Sequence, residues 1–501
     1  MERRRFLVAW VGAAGLLAAA CGSAANNGAG GTATVAPPAP PLQTDAGAGL
    51  RSGGDDAGDG GDASPASLAR ADIPAIACED VAGDVYDVSL AGLPPMTMAA
   101  RGTIVRCGKD GALDAAAIAQ RLAAQAVTGI VATSETTVYR IAFRTYRDDG
   151  VAGISTARVY LPSKPRSLPL PVIAVAHPTV GIADDCAPSK DATALADVAL
   201  PWAARGFAVI APDYAGLGNE GVQGYTANHD TAHSLLDGAR ALRAMLAPGA
   251  LDSRVVLSGF SQGGGAVLAS QALAGTYGAG GDVVAAIVFA PQFFSRIGSF
   301  GFVSMLRSPT DLTISTGISK PVVAEFRDYS IAYKVLGPAN AAVSFPAANR
   351  SGIEQAIATQ CQTPFGGYIQ AVAPHVGDLF DDGFRTSMLA CVDGTAGCTG
   401  AASQMHAWMM GDLVAPDPKG APVLYVQGLA DTIMPPSEEA ACNIGLLESS
   451  GVSVQTCVDP VSTHTAIVPR NAAFALAWGE AKLDGAALPA CSDLGMPSCS
   501  P

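Results

Sequence analysis

No block of basic residues follows the first few positions of this chain, in which 30 Lys and Arg stand against 44 Asp and Glu for a net charge of −14. A phosphate backbone is recognised by clustered cations, so nucleic acid is excluded as an expected partner. Neither a Cys-x-x-Cys pair nor a Cys/His cluster occurs, which removes the usual ligand sets for a metal; no metal and no cofactor is expected. Only six histidines are present, His177, His229, His233, His375, His406 and His464, so any proton-transfer chemistry must draw on a short list. From Gly22 to about Ser67 the chain has almost no large apolar residue. Such a stretch cannot bury enough surface to offset its chain entropy, and 22–71 reads as a disordered tether.

What is present in quantity is apolar sequence: 49% of 501 residues, enough for one large domain with an insertion or for two domains. A chain that can bury this much is expected to be a monomer. The N-terminus carries Arg3, Arg4 and Arg5 and then an apolar run from Phe6 to Ala20, too short for a stable membrane span and typical of a signal peptide over 1–21. Leu16 to Cys21 resembles a bacterial lipobox, in which Cys21 would become the lipidated first residue; Arg3 to Leu7 also resembles a twin-arginine signal. The expected location is outside the cytoplasm, either secreted or as a membrane-anchored lipoprotein on the periplasmic or extracellular side. Setting Cys21 aside leaves ten of the eleven cysteines, an even number that suggests disulfides in an exported chain. Short separations make Cys391–Cys398, Cys442–Cys457 and Cys491–Cys499 plausible local bridges, although sequence alone does not fix connectivity.

The chemistry centres on Arg254 to Gly265, RVVLSGFSQGGG, where an apolar run meets Gly-x-Ser-x-Gly and then a helical pattern. A strand that turns sharply into a helix strains its middle residue, and the positions two places either side must be small. Gly259 and Gly263 satisfy this, and the turn lifts Ser261 Oγ out of the sheet as candidate nucleophile, with the Gln262 amide at the positive end of the helix as a candidate oxyanion donor.

Around this turn, strand-like runs at Thr103–Cys107, Val138–Tyr146 and Ser155–Leu161 come first, the last two alternating as antiparallel edge strands do. Unbroken apolar runs follow at Pro171–Ala176, Phe207–Ala211, Val255–Leu257, Val283–Phe289 and Pro422–Val426, the signature of parallel strands covered on both faces. Helical patterns lie at Ala192–Arg205, His229–Leu246, Ser261–Leu273, Ser437–Glu448 and Ala466–Lys482. The expected fold is α/β, an α/β-hydrolase with a mostly parallel sheet flanked by helices. Residues 291–418 interrupt the rhythm and read as a mainly helical cap inserted between a core of 72–290 and its completion at 419–484, with 485–501 as a tail bearing a cysteine pair. An independent domain is the alternative for the insertion.

A serine nucleophile needs a base, and the base an orienting carboxylate. In the hydrolase order the histidine follows the last core strand, which selects His464, after Val452–Val458. The acid belongs after the preceding strand, which selects Asp431; Asp459 is the rival, placed too near His464 for the usual separate loops. His177-Pro178-Thr179 follows the strand ending at Ala176, where a second oxyanion donor is expected. Pro178 has no N–H, so Thr179 is the first residue there that could donate one. His177 is expected to have a structural role.

Taken together, HPTVGIADDCAPS at 177–189, PDYAGLGNEG at 212–221, GFSQGG at 259–264, GLADTIMP at 428–435 and STH at 462–464 resemble the secretory lipases of lipase A type, a family of the α/β-hydrolase superfamily. The resemblance spans about 102–482 in the right order. It implies hydrolysis of carboxylic esters or lipids through a Ser, Asp, His triad beneath a helical lid, without a cofactor, and a bridge from Cys186 to a cysteine of the cap such as Cys361. Pro178 in the oxyanion loop and the long tether depart from that pattern. The apolar residues Met405, Trp408, Met409 and Met410 could line an acyl-chain site but read more simply as core. A peptidase or acyltransferase on the same fold, or a non-catalytic surface-binding lipoprotein, are the rival readings.

Overall fold

Strands that must be covered on both sides alternate which face each side chain joins, and the strand leading to Ser261 shows it. In β6 (Leu251–Phe260) Val255 and Leu257 enter one apolar cluster while Val256 and Phe260 enter the other. The same division holds for Val423 and Tyr425 against Leu424 and Val426 in β8 (Val423–Gly428). This explains why the sequence shows unbroken apolar runs: period-two alternation is hidden when both faces are dry.

The computed structural model describes residues 72–148, 150–293, 306–307, 320–373, 375–491 and 494–500. The leader expected at 1–21 and the tether expected at 22–71 lie outside the described residues. The other strands are β1 (Ile104–Leu113), β2 (Thr136–Tyr146), β3 (Ala152–Pro162), β4 (Leu170–Ala176), β5 (Ala208–Pro212), β7 (Asp282–Phe289) and β9 (Val454–Asp459). They form a sheet ordered β1-β2-β3-β5-β4-β6-β7-β8-β9. Pairing is antiparallel from β1 through β3 to β5 and parallel from β5 onward to β9. The order exchanges β4 and β5, and the loop after β4 thus lies beside the turn after β6, its parallel neighbour.

Helices α1 (Ala115–Ala124), α2 (Leu200–Ala204) and α11 (Ile467–Asp484) cover one face of the sheet. The other face is covered by α3 (Asn228–Met245), α4 (Gln262–Tyr277) and α10 (Ala441–Ser449). Approach is close enough to demand glycine at particular places. A Cβ on Gly479 of α11 would lie 2.4 Å from the Trp202 ring, and one on Gly238 of α3 would lie 2.6 Å from Pro212.

Between β7 and β8 the described residues form α5 (Lys320–Leu336), α6 (Arg350–Thr359), α7 (Gln362–Val372), α8 (Asp382–Asp393) and α9 (Gly400–Gly411). They pack into an apolar cluster of their own, to which only Ile182 and Tyr225 contribute buried members from outside residues 306–409. Met405 and Met409 are buried in that cluster and Trp408 packs against it, whereas Met410 is 43% exposed.

Some sequence expectations change. The helix expected over Ala192–Arg205 is helical only at Leu200–Ala204, because Asp191 accepts from the Thr193 amide and hydroxyl and turns the preceding segment instead. Helix α1 adds to the expected elements, with Ile118 and Leu122 as its buried residues. The disulfides are Cys78–Cys107, Cys186–Cys361, Cys391–Cys398, Cys442–Cys499 and Cys457–Cys491. The local bridges Cys442–Cys457 and Cys491–Cys499 are therefore replaced by two that run from the C-terminal tail to α10 and β9. The tail is drawn back along the core, with Gln455 Nε2 donating to the Pro489 carbonyl at 2.9 Å and the Ser500 amide to the Ser437 carbonyl at 2.9 Å.

Candidate active site

Ser261 stands between β6 and α4 with φ 54° and ψ −117°, a conformation that costs a non-glycine residue on the order of 1–3 kcal/mol and persists only where the surroundings impose it. The surroundings here are backbone. The Ser261 amide donates to the Phe289 carbonyl at 3.0 Å, and its carbonyl accepts from Gly265 N at 3.1 Å and Gln292 N at 2.9 Å. A Cβ on Gly259 would lie 2.3 Å from the Gly263 carbonyl oxygen, and one on Gly263 would lie 2.1 Å from that of Ala176. The glycines let the strand, the turn and the neighbouring β4 end come within contact distance, and the strained serine is what results.

The structure brings the three separated candidates together. His464 Nε2 lies 2.9 Å from Ser261 Oγ, and its Nδ1 lies 2.8 Å from Asp431 Oδ2. All three residues are buried. The other oxygen of Asp431 accepts the amides of Ile433 and Met434, each at 2.8 Å, and Gln427 Nε2 approaches Oδ2 at 3.3 Å. These donors fix the carboxylate on its turn after β8, and an Nδ1–H on His464 would leave Nε2 free to accept the serine proton. The Phe260 ring lies 5.0 Å from the imidazole and closes one side of it.

Asp459, the rival acid, does something else. Its oxygens accept from the amides of Val461 and Ser462, the Ser462 hydroxyl, Arg470 and Asn471. Burial pushes its pKa up, but the bonds from Ser462, Arg470, the Val461 amide and Asn471 outweigh that and hold it below the ordinary carboxylate value. Asp459 thus anchors the loop that carries His464.

On the other side, Gln262 opens α4 and Thr179 sits in the loop after β4, both buried. Thr179 Oγ1 lies 2.6 Å from the Tyr225 hydroxyl. His177 is fully buried; its Nε2 faces the Asp213 carbonyl at 3.2 Å, and burial lowers its pKa to about 4, so it stays neutral as a structural group. Asp213, not singled out from sequence beyond its place in the PDYAG motif, holds this loop. It accepts from Ser189 N at 2.8 Å, the Ser189 hydroxyl, and Thr156 Oγ1 at 2.7 Å. Burial raises its pKa to about 6 against those bonds. Among the described residues, no group of three or more His, Cys, Asp or Glu could hold a metal ion.

Cys361, at the start of α7, is bonded to Cys186, and the Gln362 amide donates to the Val180 carbonyl at 2.8 Å. The bridge implied by the family resemblance is therefore present, and it fastens the helical layer to the loop that carries Thr179.

A mostly parallel sheet with a strand-turn-helix serine and an antiparallel start is the α/β-hydrolase fold. The family model described as secretory lipase matches residues 192–293, the stretch from the segment before α2 through the serine turn to the end of β7, in agreement with the family that the motifs resemble. Among solved structures, the rice cell wall degrading esterase LipA from Xanthomonas oryzae is 20% identical with a TM-score of 0.57, over 75% of this chain and 95% of that one. Candida antarctica lipase A is 19% identical with a TM-score of 0.55, over 80% and 88%. A search of curated proteins returns no match. Fold class, family and the expectation of a carboxylic ester hydrolase of lipase or esterase type agree with these findings, and a secretory-lipase match agrees with export. No described helix is long and apolar enough to cross a membrane.

Proposed function

We propose that Ser261, His464 and Asp431 form the catalytic triad of this exported carboxylic ester hydrolase. The observation that carries the reading is the continuous chain from Asp431 Oδ2 to His464 at 2.8 Å and from His464 to Ser261 Oγ at 2.9 Å. Ser261 Oγ attacks the ester carbonyl while His464 Nε2 takes its proton, and the oxygen that becomes negative is met by the backbone N–H groups of Gln262 and Thr179. His464 then gives the proton to the departing alcohol, leaving an acyl-enzyme. Water, deprotonated by the same imidazole, attacks that acyl group, and Ser261 is regenerated as the acid leaves. Asp431 holds the ring and balances the imidazolium charge.

The helical layer within 291–418 is the cap of this site, the core comprises 72–290 and 419–484, and 485–501 is a tail stapled to the core. The enzyme works as a monomer, tethered by 22–71 to a lipid at Cys21, facing ester or lipid substrate outside the cytoplasm. Supporting the anchor is the lipobox-like LLAAAC at 16–21.

The test of the triad is Ser261→Ala. Hydrolysis of p-nitrophenyl esters should fall about a million-fold in kcat, as for serine hydrolases that lose their nucleophile, and a fluorophosphonate probe should label the native wild type and not the variant. Wild-type rates in the variant would end the proposal. The anchor is checked in a bacterial host: globomycin should leave the precursor uncleaved, and normal processing in its presence removes the lipoprotein assignment.

A further inference from the structure

We propose that Tyr225 is a positioning residue for the oxyanion loop, setting Thr179 through its hydroxyl and linking that setting to α5 through its ring. The inference rests on the triad reading above and adds to it a residue that belongs to neither the triad nor the oxyanion donors.

Tyr225 is 1% exposed, and its hydroxyl serves two loops. It lies 2.6 Å from Thr179 Oγ1 after β4 and 3.5 Å from Gln292 Oε1 after β7. Gln292 is the residue whose amide holds the Ser261 carbonyl at 2.9 Å. One phenol oxygen therefore stands between the segment carrying the proposed second oxyanion donor and the segment that supports the nucleophile turn. Burial raises the pKa of this phenol far above its ordinary value, so it remains a neutral hydroxyl that can donate in one direction and accept in the other. Such a shared hydroxyl matters in this loop because Pro178 offers no N–H for backbone anchoring.

The ring makes the second connection. It packs edge-on against Phe326 of α5, with centroids 5.7 Å apart, and Phe326 stacks on Phe365 of α7 at 4.8 Å. The backbone beside it is strained: Thr226 has φ 56°, costly for a β-branched residue unless its surroundings impose it. Its hydroxyl is engaged on both sides, donating to the Tyr225 carbonyl at 2.7 Å and accepting from Arg327 Nε of α5 at 3.2 Å. A strained residue clamped by α5, immediately after the tyrosine that grips Thr179, is an arrangement in which the seat of the helical layer and the position of the oxyanion loop are set together. An oxyanion donor displaced by a fraction of an ångström loses most of its effect, since its value lies in being aimed before the charge develops. Removing the Tyr225 hydroxyl should accordingly act on the rate and not on ground-state binding.

The experiment uses the full exported enzyme and a soluble p-nitrophenyl ester. Tyr225→Phe keeps the ring on Phe326 and should lower kcat at least tenfold with KM within twofold and thermal midpoint nearly unchanged. Thr179→Val should lower kcat alike, Thr179→Ser should restore it, and the Tyr225→Phe, Thr179→Val double variant should lose no more than the worse single variant. Binding of an alkyl trifluoromethyl ketone, whose serine adduct carries the oxyanion, should weaken in Tyr225→Phe by the same factor as kcat, while inhibition by a simple alcohol product stays constant. Wild-type kcat in Tyr225→Phe, or a loss confined to KM and thermal midpoint, overturns the positioning role and leaves the triad reading intact. Full hydrolysis by Ser261→Ala overturns the triad reading itself and this inference with it.

Discussion

The two halves of the molecule are held by different forces. In the sheet and its flanking helices, side chains from successive strands fill two continuous apolar clusters, and contacts are so close that glycines stand where any Cβ would overlap backbone. The helical layer has its own apolar cluster, to which the sheet half lends Ile182 and Tyr225, and polar bonds join the two as well. Asp412, just after α9, accepts the amides of Asn228 and His229 at 2.7 and 3.2 Å and thereby caps α3 from outside its own segment. Asp148, after β2, receives Lys334 of α5 and Trp408 of α9. Arg327 reaches Thr226, and Cys186–Cys361 fixes the loop after β4. Directional bonds specify where one body sits against another. Ser261 is in the first half, and the loop bearing Thr179 lies on the boundary.

The sharpest way to break this comparison is Gly263→Ala. The added methyl would meet the Ala176 and His177 carbonyl oxygens at 2.1 and 2.7 Å, and neither β4 nor α4 can yield, since both are bonded into their neighbours. Overpacking of this kind costs on the order of 3 kcal/mol or more. Urea unfolding and ester hydrolysis should both show it, with activity nearly lost even where folded protein is recovered. A variant with the wild-type midpoint and rate would mean the elbow is far softer than its geometry indicates.

The sequence reveals the first half far better than the second. Parallel strands covered on both faces leave apolar runs with no polar interruption, and β4 through β8 are read from those runs to within a few residues. Ser261, Asp431 and His464, which lie within hydrogen-bond reach of one another, are singled out by chain order and strand ends, with Asp459 as the rival acid. What is missed is what depends on distant partners. Tyr225 has no local pattern; its meaning comes from a threonine 46 residues away and from a helix of the inserted layer. Asp412 reads as a polar residue after a helix until α3 is seen to start against it. The tail cysteines are paired wrongly by nearness in sequence because the tail runs back across the core, to Cys442 and Cys457. The α1 helix goes unread although it carries a signal: Ile118 and Leu122 stand one turn apart on its buried face and Asp114 caps its first turn.

A pH titration sharpens the contrast between buried carboxyls. Asp213 in the sheet half has hydroxyl and amide donors, and burial raises its pKa to about 6. Asp328 of α5 is fully buried with no hydrogen-bond partner on either oxygen among the described residues, and burial raises it further, to about 7, with the Arg327 charge opposing. Glu325, one turn earlier, is likewise buried, unbonded and raised well above its usual value. A carboxyl whose folded pKa exceeds its unfolded value binds its proton more tightly when folded. Its contribution is fully present below the unfolded value near 3.8 and is lost as pH rises through about 7. The layer should therefore weaken between about pH 4 and 7, by on the order of 4 kcal/mol from Asp328. Asp328→Asn should flatten that slope in urea unfolding read at a probe within the layer. An equal slope in wild type and variant would show that this carboxyl is already ionised, or relieved by a partner, in the folded state.

The smallest effect comes from the glycine that answers Gly263. Gly367 lies inside α7, with nothing within 4 Å of where its Cβ would be and no positive φ. Here glycine meets no steric demand, and its flexibility in the unfolded chain only opposes folding. Gly367→Ala should stabilise the enzyme by roughly 0.5–1 kcal/mol through helix propensity alone, with kcat and KM for the p-nitrophenyl ester unchanged. Thermal midpoint and kinetics together give the reading. A loss of stability would mean that α7 packs as tightly as α4, which would remove the distinction between a half assembled by backbone contact and a half seated by polar bonds. A gain in stability accompanied by a lower kcat would instead place α7, through Phe365 and its stack on Phe326, among the elements whose motion the reaction requires.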